Sequence, residues 1–391
     1  MALQSKLAAS SASDSTPTLD GVDRLLLAQA EEAVADSVRR IVVVDAEAPQ
    51  IFDDLGHLFP SATLVAHNDS LVDQRAVASS KAVIATESSA CSSSLYPSDL
   101  FAEADLVLVR LPKSLDALDE LAQAAAGALN QDAVFIGAAR TKHMTPTQND
   151  VLGRYFSSVS ASLGRFKSRA LIASAPKAAD HGALSPVHAG AGTWPRTVYN
   201  AEVDLDLVAH GGVFAGTRLD IGTRALLREL GELLEVFPEA IDFVDSGCGN
   251  GVLAAAVAKA RPDARVTAVD VSRAATFSAT ATAQANGLAA NIVVNQDDAL
   301  IGLSTASADV VVCNPPFHTG TSLDTDVAER MFEQARRVLR PGGELWTVFN
   351  TPLPYQGVLR RTVGRTSTVA QDRKFTVTRS VTPLARDEQP A

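Results

Sequence analysis

The sequence predicts an α/β protein built as two tandem doubly wound, Rossmann-like domains, and three observations carry that prediction. Short β-branched runs alternate with longer Ala- and Leu-rich stretches of helical spacing along most of the chain. The distance from run to run, about 25–40 residues, suits right-handed βαβ units whose parallel sheet is covered on both faces. The same rhythm occurs twice, at an offset close to 200 residues.

In the first half the strand-like runs are Arg40–Val44, Thr63–Ala66, Lys81–Ile84, Leu106–Val109 and Ala133–Ile136. Helical spacing covers Gly21–Ser37, Leu115–Leu129 and Asn149–Leu163. In the second half the runs are Ile241–Asp245, Arg265–Asp270, Asn291–Asn295, Asp309–Cys313 and Glu344–Phe349, separated by helical stretches at Val252–Ala260, Arg273–Asn286 and Asp326–Leu339. Asp45 ends an apolar run 200 positions before Asp245, and LVLVRLP from Leu106 parallels VVVCNPP from Val310. Phe166 and its neighbours parallel the segment from Phe375. Residues 176–200, rich in Ala, Gly and Pro and without periodicity, are expected to link a first domain over 19–175 to a second over 201–385.

The composition sets limits on function. The chain has 391 residues, 46% hydrophobic and 20% charged, which is material for packed cores and excludes disorder over most of its length. A net charge of −11 excludes a general polyanion binder, so any nucleic-acid contact needs a local basic patch. Three scattered cysteines give neither a disulfide framework nor a zinc site, and no metal is expected. No apolar run approaches the ~20 residues of a bilayer span. Residues 1–18 lack the apolar segment of a secretory signal and are expected to form a mobile tail on a cytoplasmic protein, with a monomer favoured.

The chemistry falls in the second half. Asp245, Gly247, Cys248, Gly249 and Asn250 form an acidic strand end and a glycine-rich turn ahead of a helix. Glycines let a ligand approach the backbone, and the helix N-terminus offers unpaired N–H groups. Such a turn suits a nucleotide, a dinucleotide or S-adenosylmethionine, or no ligand at all. Asp270, 21 residues after Gly249, can accept both hydroxyls of a ribose, or can cap the following helix. After the third strand, Asp298 is favoured over Asp297 for an adenine amino group, a solvated loop being the bland reading of either. After the fourth come Asn314, Pro315, Pro316 and Phe317. Prolines fix the backbone and donate nothing, so carbonyl oxygens are presented rigidly beside the Asn314 amide oxygen, a set that can hold an –NH₂ group. Phe317 offers a face for a base.

The Asn314-Pro315-Pro316-Phe317 run resembles the N-P-P-[FY] motif of S-adenosylmethionine-dependent amino-group methyltransferases. With Gly212-Val-Phe214, Leu219-Asp220-Ile-Gly222-Thr223, the glycine turn, His318 and Leu353-Pro354-Tyr355, the chain resembles the bacterial ribosomal RNA guanine-N2 methyltransferases of both subunits. The resemblance is dense from about Gly211 to Arg379. It implies two tandem Rossmann-like methyltransferase domains, the N-terminal one degenerate. It implies S-adenosylmethionine at the glycine turn with Asp270, Asp298, Gly222 and Thr223, and methyl transfer to a guanine 2-amino group held by Asn314 and Pro315. His318 is expected to shape the substrate site rather than act as a base. Ser246, where the family usually has an apolar residue, is expected beneath the turn. The first half has neither the glycine turn nor the Asn-Pro-Pro-Phe run, so it is expected neither to bind the cofactor nor to react.

The partner implied is ribosomal RNA or a ribosomal subunit, and two basic clusters are candidate phosphate contacts: Arg360, Arg361, Arg365, Arg373 and Lys374, and Arg165, Lys167 and Arg169. Each is equally readable as a solvated face. The competing functions are an amino-methyltransferase acting on a protein glutamine or DNA adenine, and a non-catalytic RNA-binding or ribosome-assembly factor.

Overall fold

A computed structural model of the chain describes residues 18–33, 38–80, 82–84, 95–97, 99–177, 193–316 and 322–384. Nearly all of the expected N-terminal tail lies outside them, as do residues 34–37 at the end of the first expected helix.

The first unit runs α1 (Gly21–Ala33), β1 (Arg40–Val44), α2 (Gln50–Leu58), β2 (Thr63–His67), α3 (Leu71–Val77), β3 (Val83–Ile84), β4 (Leu106–Arg110), α4 (Leu115–Ala128), β5 (Val134–Arg140), α5 (Pro146–Tyr155), β6 (Phe156–Ala161) and β7 (Ser168–Pro176). A hairpin follows, β8 (Arg196–Asn200) and β9 (Leu205–Ala209). The second unit then runs α6 (Ile221–Arg228), α7 (Leu230–Val236), β10 (Asp242–Ser246), α8 (Val252–Ala260), β11 (Arg265–Asp270), α9 (Arg273–Ala285), β12 (Ile292–Gln296), β13 (Ala308–Cys313), α10 (Ser322–Val338), β14 (Leu339–Asn350), α11 (Tyr355–Thr362), β15 (Arg365–Gln371) and β16 (Phe375–Val381).

The two large sheets have one topology. The orders are β3-β2-β1-β4-β5-β7-β6 and β12-β11-β10-β13-β14-β16-β15. In each, the first five strands are parallel, the sixth runs antiparallel to them, and the seventh pairs antiparallel with the sixth, so the sheets are mixed rather than wholly parallel. Strand order reverses between β1 and its neighbours and again around β10, and a doubly wound sheet opens a ligand crevice at that switch point.

Each sheet is buried on both faces because its strands are continuously apolar and successive side chains point to opposite sides. Phe243, Val310 and Val312 pack with α8 and α9 on one face. Val244, Val311 and Cys313 pack with α10 and α11 on the other. The first unit divides Val42 and Val107 from Ile41 and Val43 in the same way. No helix among the described residues is long and apolar enough to cross a membrane.

Three expectations need correction. The helix expected over Asn149–Leu163 ends at Tyr155, and Phe156–Ala161 is the edge strand β6. Its three serines favour helix poorly, and the segment pairs with β7 instead. Residues 178–192 of the expected linker lie outside the described residues; at its two ends, β7 extends to Pro176 and the boundary at residue 200 falls inside the β8–β9 hairpin. That hairpin belongs with the second unit, since Thr282 Oγ1 accepts from Val208 N at 3.0 Å and Ser278 Oγ accepts from His210 N at 3.0 Å. Lastly, the repeat has a different register. Val44 pairs with His67 and Val109, and Ser246 pairs with Val269 and Cys313. Asp45 N donates to His67 O at 2.9 Å, the bond that Gly247 N makes to Val269 O at 2.8 Å. Asp45 therefore corresponds to Gly247, not to Asp245, and both have positive φ, 58° and 76°.

The units are joined through buried polar contacts. His210 Nδ1 lies 2.6 Å from Glu120 Oε1, and Gly211 N donates to Glu120 Oε2 at 2.7 Å. Only glycine fits at 211, where a Cβ would sit 2.2 Å from the Asp116 carbonyl oxygen.

Candidate functional site

A cavity of about 460 Å³ opens at the switch point of the second sheet. Its walls are the turn after β10, the ends of β11 and β13, the loop after β12, and the segment leading into α6.

The turn owes its shape to three glycines. Gly247, Gly249 and Gly251 have φ of 76°, 54° and 78°, a region that side-chain-bearing residues rarely adopt. A Cβ on Gly251 would lie 2.8 Å from the backbone of Ala279, so this glycine also lets α8 meet α9. Gly247, Cys248, Gly249 and Asn250 all line the cavity. Asn250 ties the turn to the opposite wall, its Nδ2 donating to Gly216 O at 2.9 Å.

Asp270 stands across from the turn, with Oδ2 accepting from Gly249 N at 3.0 Å and Oδ1 from Ser272 N at 3.0 Å. Burial pushes its carboxyl pKa up. It lines the cavity, so the capping and ligand readings of the sequence are compatible. Asp297 and Asp298 both line the wall beyond it. Asp297 organises its own loop, accepting from Asp298 N at 2.8 Å and Gly302 N at 2.7 Å. Asp298 pairs with Arg330 at 3.2 Å.

At the far end, Asn314 Nδ2 donates to Thr223 Oγ1 at 2.9 Å and to Asp220 Oδ2 at 3.2 Å. Asp220 caps α6, its Oδ2 accepting from Gly222 N at 2.8 Å and Thr223 N at 3.1 Å. These bonds orient the amide and leave Asn314 Oδ1 buried without a hydrogen-bond partner among the described residues. A buried acceptor of that kind is costly unless a ligand completes it. Pro315 and Pro316 continue the same wall. Phe317 and His318 lie outside the described residues.

Several expected residues sit elsewhere. Asp245 is fully buried beneath the turn and does not line the cavity; its Oδ2 accepts from Ala254 N at 3.0 Å and anchors α8. Gly222 is also off the wall, and a Cβ there would come 3.3 Å from Asn314 Oδ1, so its lack of a side chain gives that acceptor room. Ser246, expected beneath the turn, is part of the cavity floor. Thr223 lines the cavity as expected. Asp220, Phe214, Arg218, Asn350, Met331 and Phe375 also line it. Asp220 and Phe214 sit inside the quoted motifs, but nothing local in the sequence says that Asp220 holds Asn314.

Arg360, Arg361, Arg365, Arg373 and Lys374 are exposed, and the last two precede Phe375 at the cavity wall. Arg165, Lys167 and Arg169 are exposed around the β6–β7 turn, where Arg165 pairs with Glu32 at 3.0 Å and Arg169 Nε donates to Ser162 O at 2.9 Å. Arg379 is tied to Glu344 and is not part of a free basic face.

In the first unit, Arg110 stands where the second has Asn314, one residue past the paired strand ends Val109 and Cys313. Its guanidinium bonds Asp23 at 2.6 Å, Asp20 at 3.1 Å and Glu47 at 3.1 Å. Asp45 replaces the first turn glycine, and its Oδ1 accepts from Asp69 N at 2.9 Å. Internal ion pairs thus fill the position that the second unit leaves open.

Burial pushes the carboxyl pKa of Asp45 and of Asp245 up to about 7. A raised carboxyl pKa means that the folded chain holds protons the unfolded chain releases. The stabilisation is fully present below the ordinary carboxyl range, near 4, and is lost as pH rises to about 7. The urea midpoint of the wild type is therefore expected to fall between pH 5 and pH 8. The double variant Asp45→Asn/Asp245→Asn, neutral at both positions, should show a much flatter profile.

Residues 204–379 match the family described as Methyltransferase small domain, and residues 5–178 match the RLMG N-terminal domain. Ribosomal RNA large subunit methyltransferase G of Streptomyces coelicolor is 39% identical over 286 residues, covering 71% of this chain and 72% of that protein. The protein of the same name from Pseudomonas fluorescens is 39% identical over 277 residues, covering 70% of each chain. Among solved structures, the T. thermophilus 16S rRNA N2 G1207 methyltransferase (RsmC), in complex with AdoMet and guanosine, has a similar fold. It aligns with a TM-score of 0.72 at 21% identity, over 93% of this chain and 92% of that one.

Proposed function

We propose that this chain, which belongs to the ribosomal RNA large subunit methyltransferase G family, moves the methyl group of S-adenosylmethionine to the exocyclic 2-amino group of a guanine in large-subunit ribosomal RNA. The observation that carries the reading is the buried Asn314 Oδ1, unpartnered among the described residues, at the end of a cavity walled by the glycine turn. It is an acceptor held ready for an –NH₂ group.

The donor supplies a methyl group already activated by a positive sulfur. The chain's task is to place two ligands in line and to tolerate the charge that grows on the amine. The cavity lining suits the donor: the Gly247–Asn250 turn would let it lie against backbone, Asp270 would accept its ribose hydroxyls, and Asp298 would take its adenine amino group. Asn314 Oδ1 and the Pro315 carbonyl take the two amine hydrogens, and their negative ends stabilise the developing cation. No strong base is needed, because the methylated amine becomes acidic and releases its proton afterwards. By the family resemblance, Phe317 would stack on the guanine and His318 would shape the substrate site. The 2-amino group is engaged in paired RNA, so the guanine enters unpaired or flipped. Exposed Arg373 and Lys374, which precede Phe375 of the cavity wall, are assigned to RNA phosphates, with exposed Arg360, Arg361, Arg365, Arg165, Lys167 and Arg169 as further phosphate contacts.

The test is label transfer from S-adenosylmethionine to purified rRNAs and assembled subunits from cells lacking this protein. Label is expected in large-subunit RNA. Label confined to small-subunit RNA would overturn the subunit, and label only in protein or DNA would overturn the acceptor. No label despite cofactor binding would overturn the enzyme and leave an RNA-binding factor.

A further inference from the structure

The loops after β2 and β11 meet across a local two-fold. Ser70 bridges Ser272, Leu71 N donates to Val271 O at 3.0 Å, and Arg273 N donates to Asp69 O at 2.9 Å. Side chains break this symmetry. Asp69 Oδ1 accepts from Ala274 N at 2.7 Å, across 205 positions of sequence, and Gln296 Nε2 donates to both Asp69 O at 2.9 Å and Val271 O at 3.0 Å.

The start of α9 is therefore capped largely from outside its own unit. The N–H groups opening a helix have no partner within it. Here Ser272 N goes to Asp270 Oδ1, Arg273 N and Ala274 N go to Asp69, and Ala275 N goes to Ser272 Oγ at 3.2 Å. A carboxylate at a helix N-terminus also meets the positive end of its dipole. Only Val271 and Ser272 separate Asp270 from α9, so fixing the first turn of the helix fixes the Asp270 carboxylate, whose other oxygen holds Gly249 N.

We infer that Asp69, on the unit without a glycine turn, is a positioning residue that sets Asp270 for the ribose of the methyl donor. The inference rests on reading the second-unit cavity as the S-adenosylmethionine site. The inert unit then does more than support its partner, since it supplies part of the frame of the donor site.

The experiment measures S-adenosylmethionine and S-adenosylhomocysteine dissociation constants by calorimetry on the full chain, together with kcat and KM. Asp69→Ala is expected to weaken both ligands by about tenfold, the ratio carried by a lost helix cap of ordinary strength. The KM for the donor should rise by a similar factor, with kcat at saturation and the KM for RNA unchanged. Asp69→Asn keeps an oxygen acceptor for Ala274 N and should restore most of the affinity. Equal weakening in both variants, or a fall in kcat without a change in donor affinity, would overturn the positioning role. Wild-type affinity in Asp69→Ala would overturn it while leaving the cavity reading intact. A wild-type chain that binds neither ligand would overturn both.

Discussion

Asn314→Ala is expected to lower kcat for methyl transfer by roughly 10²–10³-fold, the cost of removing one preorganised group that stabilises transition-state charge. Donor affinity should stay within about twofold, an allowance below the ~0.5 kcal/mol scatter of distant substitutions. The geometry separates the two effects. Asn314 touches Thr223 and Asp220, while Asp220 keeps its bonds to Gly222 N and Thr223 N without it, so α6 retains its cap. Asn314→Asp should be at least as damaging, because a second carboxylate would face Asp220 where the amide now donates. Single-turnover rates together with calorimetric donor binding check both variants. A large loss of donor affinity in Asn314→Ala would mean that the residue belongs to the cofactor half of the cavity.

Asp270→Ala should show the opposite pattern. The side chain braces Gly249 N and Ser272 N and is placed to accept ribose hydroxyls. Charged hydrogen bonds carry about 1.5–3 kcal/mol each, so donor affinity is expected to fall by roughly 10²-fold or more. Activity should be partly recovered by raising donor concentration, which Asn314→Ala would not allow. Unchanged calorimetric affinity in Asp270→Ala would remove the ribose assignment.

Much of the sheet was legible because fully buried parallel strands are short apolar runs. Arg40–Val44 and Arg265–Asp270, and the helix Val252–Ala260, have the bounds that periodicity indicates. The α5–β6 junction was harder, since Val151, Leu152, Tyr155 and Phe156 keep helical spacing into a segment whose Ser-rich continuation belongs to an edge strand. The repeat was visible, but its register was misread. An acidic residue at the end of each first strand invites the pairing of Asp45 with Asp245, whereas hydrogen bonding pairs Asp45 with Gly247. Residue identity does not reveal a positive φ that aspartate can tolerate.

Within the cavity, the glycine turn, Asp270 and the Asn314–Pro316 wall were legible because each sits at a strand end, where open α/β sheets bind ligands. Asp245 lies beneath the turn and not on the cavity wall, because an acidic residue at that strand end supports buried anchoring of α8 as readily as ligand contact. The contacts that fix the site from a distance left no local trace. Asp220 reaches Asn314 across 94 positions, Glu120 reaches His210 across 90, and Asp69 reaches Ala274 across 205. Each is an ordinary polar residue until the chain folds.

Nucleoside analysis of the methylated RNA tests the central claim most directly. Large-subunit rRNA from cells lacking the protein would be incubated with labelled S-adenosylmethionine and either the wild type or Asn314→Ala, then digested to nucleosides. The expected result is N2-methylguanosine as the labelled nucleoside with the wild type and none with the variant. Label in any other nucleoside, or N2-methylguanosine formed equally well without the Asn314 amide, would contradict an amine held and activated at Asn314.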